Sequence, residues 1–347
     1  MLILRRGTVL AAGDPTRPMQ ELDVRLGGDR RRALADTALV GVAHVGDEVI
    51  VTIAPEDAAP GAAAVDLVHV NLTRGLREIV APAFGVVKLA GTSLQHAVMP
   101  AEASQAARRP GPDPRPPGLP DAAPVAVAFL HAQLAPVAWA FHQAAPGARL
   151  GYVQTAGGAL PGGLSPLVPL LRERGLLAGH VTAGAAYGGE VDAATTAGAL
   201  QHGFAARHWH AAVCAPGPGV LGSATALGHG GLVALDSAHA AAALGCRVVV
   251  APRRSASDPR PRHRGLSHHT RTMLALALVP LTVATHDGRS DPALRRHDWR
   301  TGDADLDGFA ASGLPARVQG RTLAEDPEFF AAALAAGSVL AAATRDA

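Results

Sequence analysis

Short segments rich in β-branched residues occupy the first hundred residues of the chain. Gly, Pro and Asp separate them, as is typical of turns between strands. The predicted strands lie at residues 8–10, 21–26, 48–53 and 67–71. We therefore expect a small, barrel-like β-rich domain over residues 1–106. A role as a structural cap and a role in function are equally compatible with this pattern.

The hydrophobic pattern changes after residue 120, where fully apolar runs alternate with segments of helical periodicity. The apolar runs lie at 125–130, 148–154, 180–182, 211–214 and 247–251, and helices are predicted at 132–143, 165–174, 192–206 and 237–244. A strand that is apolar throughout is typical of a sheet covered on both faces. Alternation of such strands with helices predicts a doubly wound parallel α/β sheet, Rossmann- or flavodoxin-like, over residues 121–285.

Two other segments bound this α/β domain. Residues 107–120 are so rich in proline that they exclude both a helix and a central strand, and we expect a linker or exposed loop there. One more helix is predicted at 267–279. Residues 286–347 are polar and irregular before an Ala-rich helix at 327–344, which we expect to pack on the main domain or on a second subunit.

Composition and charge argue against several classes of protein. Hydrophobic residues make up 48% of the chain and charged residues 17%, which excludes an intrinsically disordered protein. The formal net charge of +2 gives no basis for a nucleic-acid-binding surface. The longest apolar runs are interrupted, at His131 and Gln133 in one and at Pro280 in the other, so no membrane span is expected.

The start of the chain and its cysteines indicate the compartment. Two arginines follow a very short apolar stretch at the amino terminus, the reverse of the order in a signal peptide. Cys214 and Cys246 each lie in or beside an apolar run and indicate buried thiols in a reducing environment. We expect a cytoplasmic protein. The sequence is compatible with either a monomer or a homo-oligomer.

Glycine-rich loops follow three successive predicted strands of the parallel sheet, the middle one at residues 184–189. Thr155, Gly157 and Gly158 follow one strand, and Gly217 and Gly219 follow another. Glycines let backbone N–H groups approach a ligand, and a helix that starts after such a loop favours an anion. Neither a Walker A motif nor a complete dinucleotide fingerprint is present. These loops favour an anionic or nucleotide-like ligand without identifying a standard nucleotide fold.

Residues 260–270 concentrate more candidate chemistry than any other segment. The candidate ligand-binding residues there are Arg260, Arg262, Arg264, Ser267 and His269, and the candidate catalytic residues are His263 and His268, together with His131 after the first strand of the sheet. Arginine forks bind phosphate or carboxylate, and histidine moves protons. Ser267 is also placed to cap the helix that follows it. The alternative is a solvated basic loop with a capping serine.

A metal site is not predicted, and no cofactor is assigned. His268 and His269 are adjacent, so they point about 100° apart on a helix, which disfavours one shared ion. A zinc site would need His131, His229 or His239 from elsewhere in the chain, and the spacings typical of zinc sites are missing from the sequence.

Several of these blocks resemble a family of uncharacterised bacterial proteins, domain of unknown function 3866. The similar blocks are residues 131–136, 155–161, 217–219 and 261–270, with further similarity at 7–9, 46–51 and 88–95. The chain departs from the family pattern at Ala156, where the resemblance implies an acidic residue, and at Ala185, where it implies a histidine. The resemblance implies no established activity.

Two hypotheses about function follow. The first is an enzyme that hydrolyses a small anionic, phosphorylated or nucleotide-like substrate or transfers a group from it. The second is a non-catalytic effector-binding or assembly protein. The first hypothesis requires the glycine loops and residues 260–270 to lie at one edge of the sheet, because parallel strands place their carboxyl ends on the same side.

Overall fold

A computed structural model gives the fold over most of the chain. It describes residues 3–53, 66–75, 85–105, 119–158, 161–223 and 225–345. The chain forms two compact units, one of Met1–Ala83 with Leu89–Ala97 and one of Phe84–Lys88 with Val98–Ala347. Residues 107–118 of the predicted linker lie outside the described residues.

The first unit contains a closed five-stranded barrel. Its strands are β1 (Leu4–Ala12), β2 (Met19–Leu26), β3 (Asp29–Asp36), β4 (Glu48–Thr52) and β5 (Asp66–Asn71), with helix α1 (Thr37–Val40) after β3. They close in the order β1-β2-β3-β5-β4. Val24, Val49 and Val51 are fully buried inside the barrel, because alternate residues of a strand face the same side. The barrel-like N-terminal fold predicted from the sequence is confirmed.

The second unit is built on a parallel sheet. From Val86 onward the strands are β6 (Val86–Lys88), β7 (His96–Val98), β8 (Pro124–Ala128), β9 (Leu150–Thr155), β10 (Gly179–Ala183), β11 (Val191–Ala193), β12 (Ala211–Pro216), β13 (Arg247–Ala251), β14 (Arg254–Ser255), β15 (Gly265–Leu266), β16 (Thr282–Thr285), β17 (Asp298–Thr301), β18 (Arg317–Val318) and β19 (Arg321–Thr322). Eight of them form one sheet in the order β11-β10-β9-β12-β8-β13-β16-β17. Every pairing in this sheet is parallel.

Helices cover this sheet in two layers. They are α2 (Leu134–Ala144), α3 (Leu167–Glu173), α4 (Thr196–Gln201), α5 (Val233–Ala243), α6 (His268–Leu276), α7 (Leu306–Ala311) and α8 (Pro327–Arg345). Helices α2, α3, α7 and α8 contact one another in one layer, and α4, α5 and α6 in the other. The predicted doubly wound α/β fold is confirmed. Strand β8 leads into the first layer and its parallel neighbour β12 into the second. The connections after these two strands therefore run to opposite faces of the sheet, and such positions are where open parallel sheets bind ligands.

The sheet is larger than the five strands expected from apolar runs. β17 lies in a segment predicted to be irregular, because its residues are mostly exposed at the sheet edge and carry no apolar signal. The helix predicted at 192–206 is also wrong at its start. Strand β11 occupies 191–193, α4 begins at Thr196, and a π-helical turn follows at His202–Ala206.

The C-terminal helix α8 packs against α2 and against β8, β13 and β16. It is the one helix among the described residues that is long and apolar enough to cross a membrane by length and composition, and 72% of its apolar window is buried inside the protein. Such burial is typical of the core helix of an α/β protein. The expectation that this segment packs on the main domain is confirmed.

Candidate functional site at the carboxyl edge of the sheet

Two glycine loops meet directly at the carboxyl ends of β9 and β12. Gly158 and Val220 form an antiparallel bridge, and the N–H of Leu221 donates to the carbonyl oxygen of Gly157 over 3.2 Å. A Cβ on Gly158 would lie 2.6 Å from the carbonyl oxygen of Gly217. Glycine is therefore required where these two backbones approach each other.

The loop after β12 then carries His229 to the same edge. The N–H of Gly230 donates to the carbonyl oxygen of Leu221 over 2.7 Å, and Gly222 forms a bridge with His229. The backbone of Gly230 also packs so tightly on Gly157 that a Cβ on either residue would overlap the other. These contacts connect His229 rigidly to both glycine loops.

Four histidines, which we call the histidine cluster, meet beside these loops. They are His229, His263, His268 and His269. The rings of His229 and His269 stack with centroids 3.7 Å apart, and the ring of His268 lies 4.5 Å from that of His269 and 5.3 Å from that of His229. The ring of His263 lies 4.9 Å from those of both His268 and His269.

Ser267 holds two members of the cluster in place. Its Oγ accepts from the N–H of His269 over 3.2 Å and so caps α6, as predicted from the sequence. The same Oγ lies 2.8 Å from Nδ1 of His263, and Ser267 is fully buried. One hydroxyl therefore fixes both the start of the helix and the orientation of the His263 ring.

A buried carboxylate organises the arginines next to the cluster. Asp258 is fully buried and accepts from Arg260 over 2.8 Å, from Arg253 over 3.2 Å and from Arg321 over 3.4 Å. Burial by itself raises the pKa of the Asp258 carboxyl, but the hydrogen bonds and charges of Arg260 and Arg253 lower it far below its usual range. Arg321 also pairs with the buried Asp326 over 3.0 Å, so three guanidinium groups and two carboxylates leave one net positive charge in this part of the site.

This positive charge reaches the histidines. Arg253 Nη1 lies 3.3 Å from His269 Nδ1. Burial, followed by the charges of Arg253 and Arg260, lowers the pKa of His263 to about 3. Burial also lowers the pKa of His229, His268 and His269, and Arg253 adds to the effect at each of them. At neutral pH the cluster therefore presents neutral imidazoles in a positive environment.

His131 stands in a separate network beyond the carboxyl end of β8. Its Nε2 lies 2.6 Å from Oγ of Ser165 and its Nδ1 lies 3.2 Å from the hydroxyl of Tyr152. Tyr152 in turn stacks on His180 with ring centroids 5.0 Å apart. Burial lowers the pKa of His131 to about 4. The side chain is thus neutral and fixed in a polar network inside the unit.

The remaining candidates from the sequence differ in their surroundings. Thr155 is buried at the end of β9, and Gly219 has a positive φ of 72° in the loop after β12. Arg262 and Arg264 are exposed. The charge of Arg262 helps to lower the pKa of His268, after burial and His229. Arg264 Nε donates to the backbone oxygen of Asp258 over 3.0 Å.

The sequence did not identify His229 or Asp258 as site residues. His229 follows β12 in a segment without helical or strand periodicity, and the sequence suggested it only as one ligand that a zinc site would need. Asp258 precedes the arginines closely enough to suggest pairing, but its burial could not be read from the pattern. Both residues gain their roles from long-range contacts with other strand ends.

Comparison with models of known protein families identifies the family of the chain. The family described as "Protein of unknown function (DUF3866)" matches residues 32–337. The chain belongs to this family. The DUF3866 region includes both glycine loops and the whole histidine cluster, and the resemblance seen in the sequence blocks is confirmed. No curated protein and no solved structure matches the chain.

Proposed function

We propose that this DUF3866 protein binds a small anionic ligand, phosphorylated or nucleotide-like, at the carboxyl edge of its sheet and hydrolyses it or transfers a group from it. The observation that supports this proposal is the meeting of the two glycine loops with the histidine cluster, through the contact of Gly157 with Gly230. The loops meet beside β8 and β12, two neighbouring strands whose connections run to opposite faces of the sheet. Open parallel sheets bind ligands at such positions.

The residues divide into anion-binding and proton-transferring groups. Arg260 is engaged with Asp258 and also donates to Gln319 over 2.6 Å, so we assign the ligand to the exposed Arg262 and Arg264 and to backbone N–H groups of the glycine loops. His268 and His263 are neutral imidazoles next to these arginines, the form that accepts a proton as a general base.

Binding and turnover assays test this proposal with phosphate monoesters, nucleotides and inorganic phosphate. We expect a ligand-induced rise in melting temperature, and affinity reduced about tenfold in Arg262→Gln through loss of one charge-assisted contact. Arg295→Gln, another exposed arginine, is the matched control and should bind as the unmodified chain does. Absence of both binding and turnover across the panel would contradict the proposal.

The same assays distinguish the alternative of a non-catalytic effector-binding protein. If the first proposal holds, His268→Ala loses turnover while Arg262→Gln loses affinity. Binding that persists unchanged in His268→Ala, with no turnover of any compound by the unmodified chain, would favour the alternative.

A cytoplasmic location is part of the proposal and is supported by the cysteines. Cys214 and Cys246 are both buried and free. Burial raises the pKa of the Cys246 thiol to about 11 and that of Cys214 higher still. Such thiols are unreactive, as expected for a protein that works in a reducing compartment without disulfides.

A further inference from the structure

We propose that His229, His268 and His269 bind one divalent transition-metal ion, with zinc as the probe we would use first. One ring nitrogen from each of the three side chains lies within 4.8 Å of the others. Imidazole is a preferred ligand of zinc, and three protein ligands with one open position are the arrangement typical of catalytic zinc sites. This inference goes beyond anion binding and does not depend on it. With an ion bound, His268 would serve as a ligand, and His263 alone would remain as the general base.

Three ring nitrogens in this group lack a hydrogen-bond partner of normal geometry among the described residues. Neither nitrogen of His229, nor Nε2 of His268, makes a hydrogen bond of normal geometry to any of the described residues, and all three atoms are buried. The backbone of Ala226 interacts with the His229 ring and raises its pKa, but burial lowers that pKa by more. A buried polar atom without a partner costs free energy, and a metal ion would satisfy such atoms directly.

Gly231 leaves space where two of the proposed ligands face each other. A Cβ on Gly231 would lie 3.0 Å from Nδ1 of His269 and 3.4 Å from Nδ1 of His229. The space beside the Gly231 Cα is therefore bordered by ring nitrogens from two different segments of the chain. An ion placed there would be reached by both rings after a tilt out of their present stacking.

Arg253 is the neighbour that a metal ion must displace. Its Nη1 donates to Nδ1 of His269 over 3.3 Å, so that nitrogen carries the lone pair that would bind the ion. Release of the guanidinium would place a positive group close to the open metal position. An anion bound there would contact both the ion and the arginine, which is how such sites polarise phosphate or carboxylate oxygens.

The adjacency of His268 and His269 does not prevent shared binding. The angle of about 100° between neighbouring helix positions separates their Cα–Cβ directions. Their rings nevertheless lie 4.5 Å apart, because both side chains extend from the first turn of α6 towards His229. Whether His268 and His269 can bind one ion therefore depends on His229, which comes from a different segment of the chain.

The test is metal stoichiometry in the untagged full chain after removal of metals with a chelator. We expect one zinc per chain, and Co²⁺ in its place should give the visible absorption of a low-symmetry site with nitrogen ligands. His229→Gln and His268→Gln should each weaken zinc binding about 100-fold or more, whereas His69→Gln, in the barrel, should leave it unchanged.

Gly231→Ala provides a second variant that keeps all three ligands. Its methyl group would occupy the space between the two Nδ1 atoms, so we expect zinc affinity to fall at least about tenfold. Circular dichroism confirms that each variant is folded. Equal zinc binding by the unmodified chain, His229→Gln and Gly231→Ala would overturn the proposal, as would failure of the folded, unmodified chain to bind zinc or Co²⁺. Neither result would contradict the separate proposal that an anion binds at Arg262.

Discussion

Gly157 and Gly230 lie back to back, each with its backbone in the space that a side chain on the other would need. Gly157 follows β9 and Gly230 follows β12, so this contact joins the loops of two neighbouring strands. Gly157 also has a φ of 93°, a conformation that favours glycine. The position of His229, one residue before Gly230, depends on this contact.

Gly230→Ala should therefore destabilise the protein and disturb the histidine cluster together. Because the new Cβ overlaps backbone atoms, we expect a loss of about 1–3 kcal/mol in the free energy of unfolding. Urea denaturation measures this loss, and zinc titration measures the effect on the cluster. Gly28→Ala is the control, since nothing lies within 4 Å of its Cβ position, and it should change stability by less than about 0.5 kcal/mol.

Ser267→Ala separates a helix cap from a role in the site. Loss of the cap on α6 should cost about 1 kcal/mol, and so should Thr195→Ala, which removes the equivalent cap on α4. Only Ser267→Ala also frees the His263 ring, so only this variant should lower turnover of the anionic substrate. Equal turnover in the two variants, at equal loss of stability, would show that Ser267 is merely a cap.

The β-barrel and the α/β sheet could both be predicted from the sequence, because buried strands consist mainly of apolar residues. Strands β8, β9, β10, β12 and β13 are apolar throughout, and all five were identified. Strand β3 was missed because it begins with Asp29 followed by three arginines. Arg30 and Arg32 form exposed ion pairs, and Arg31 pairs with the buried Asp66. A strand whose residues are mostly charged or exposed gives no apolar run in the sequence from which it could be predicted.

The candidate site was only partly predictable for a related reason. Residues 260–270 and the glycine loops follow strand ends, so topology alone brings them to one edge. The stacking of His229 on His269 requires a tight loop after β12 that returns to the β9 loop, and this return depends on long-range contacts between glycines. Likewise, the burial of Asp258, which fixes Arg253 and Arg260, depends on residues as distant as Arg321.

Asp258→Asn should be among the most destabilising single substitutions in this unit. It removes the buried negative charge shared by Arg253, Arg260 and Arg321. Arg321 keeps its ion pair with Asp326, but Arg253 and Arg260 lose their carboxylate partner. We expect a loss of about 3–5 kcal/mol in the free energy of unfolding. Asp298→Asn is the control, because its pair with Arg300 is exposed on both sides, and it should cost less than about 1 kcal/mol. Similar losses in both variants would contradict a special role for Asp258.

The half-buried His131 should make the stability of the protein depend on pH in the acid range. Burial lowers its folded-state pKa from 6.5 to about 4, so between these values the unfolded chain binds the proton and the folded protein does not. Stability from this residue is complete above pH 6.5 and is lost as the pH falls towards 4. The shift corresponds to about 3 kcal/mol.

Urea denaturation across pH 4–7 checks this dependence on His131. The free energy of unfolding of His131→Asn should fall less steeply with decreasing pH than that of the unmodified chain, because asparagine does not titrate. His208→Asn is the matched control, since His208 is exposed and its left-handed backbone, with φ of 53°, is one that asparagine tolerates. The control should keep the full slope. If His131→Asn keeps it too, the acid sensitivity arises elsewhere, and the His131–Ser165 contact does not govern it.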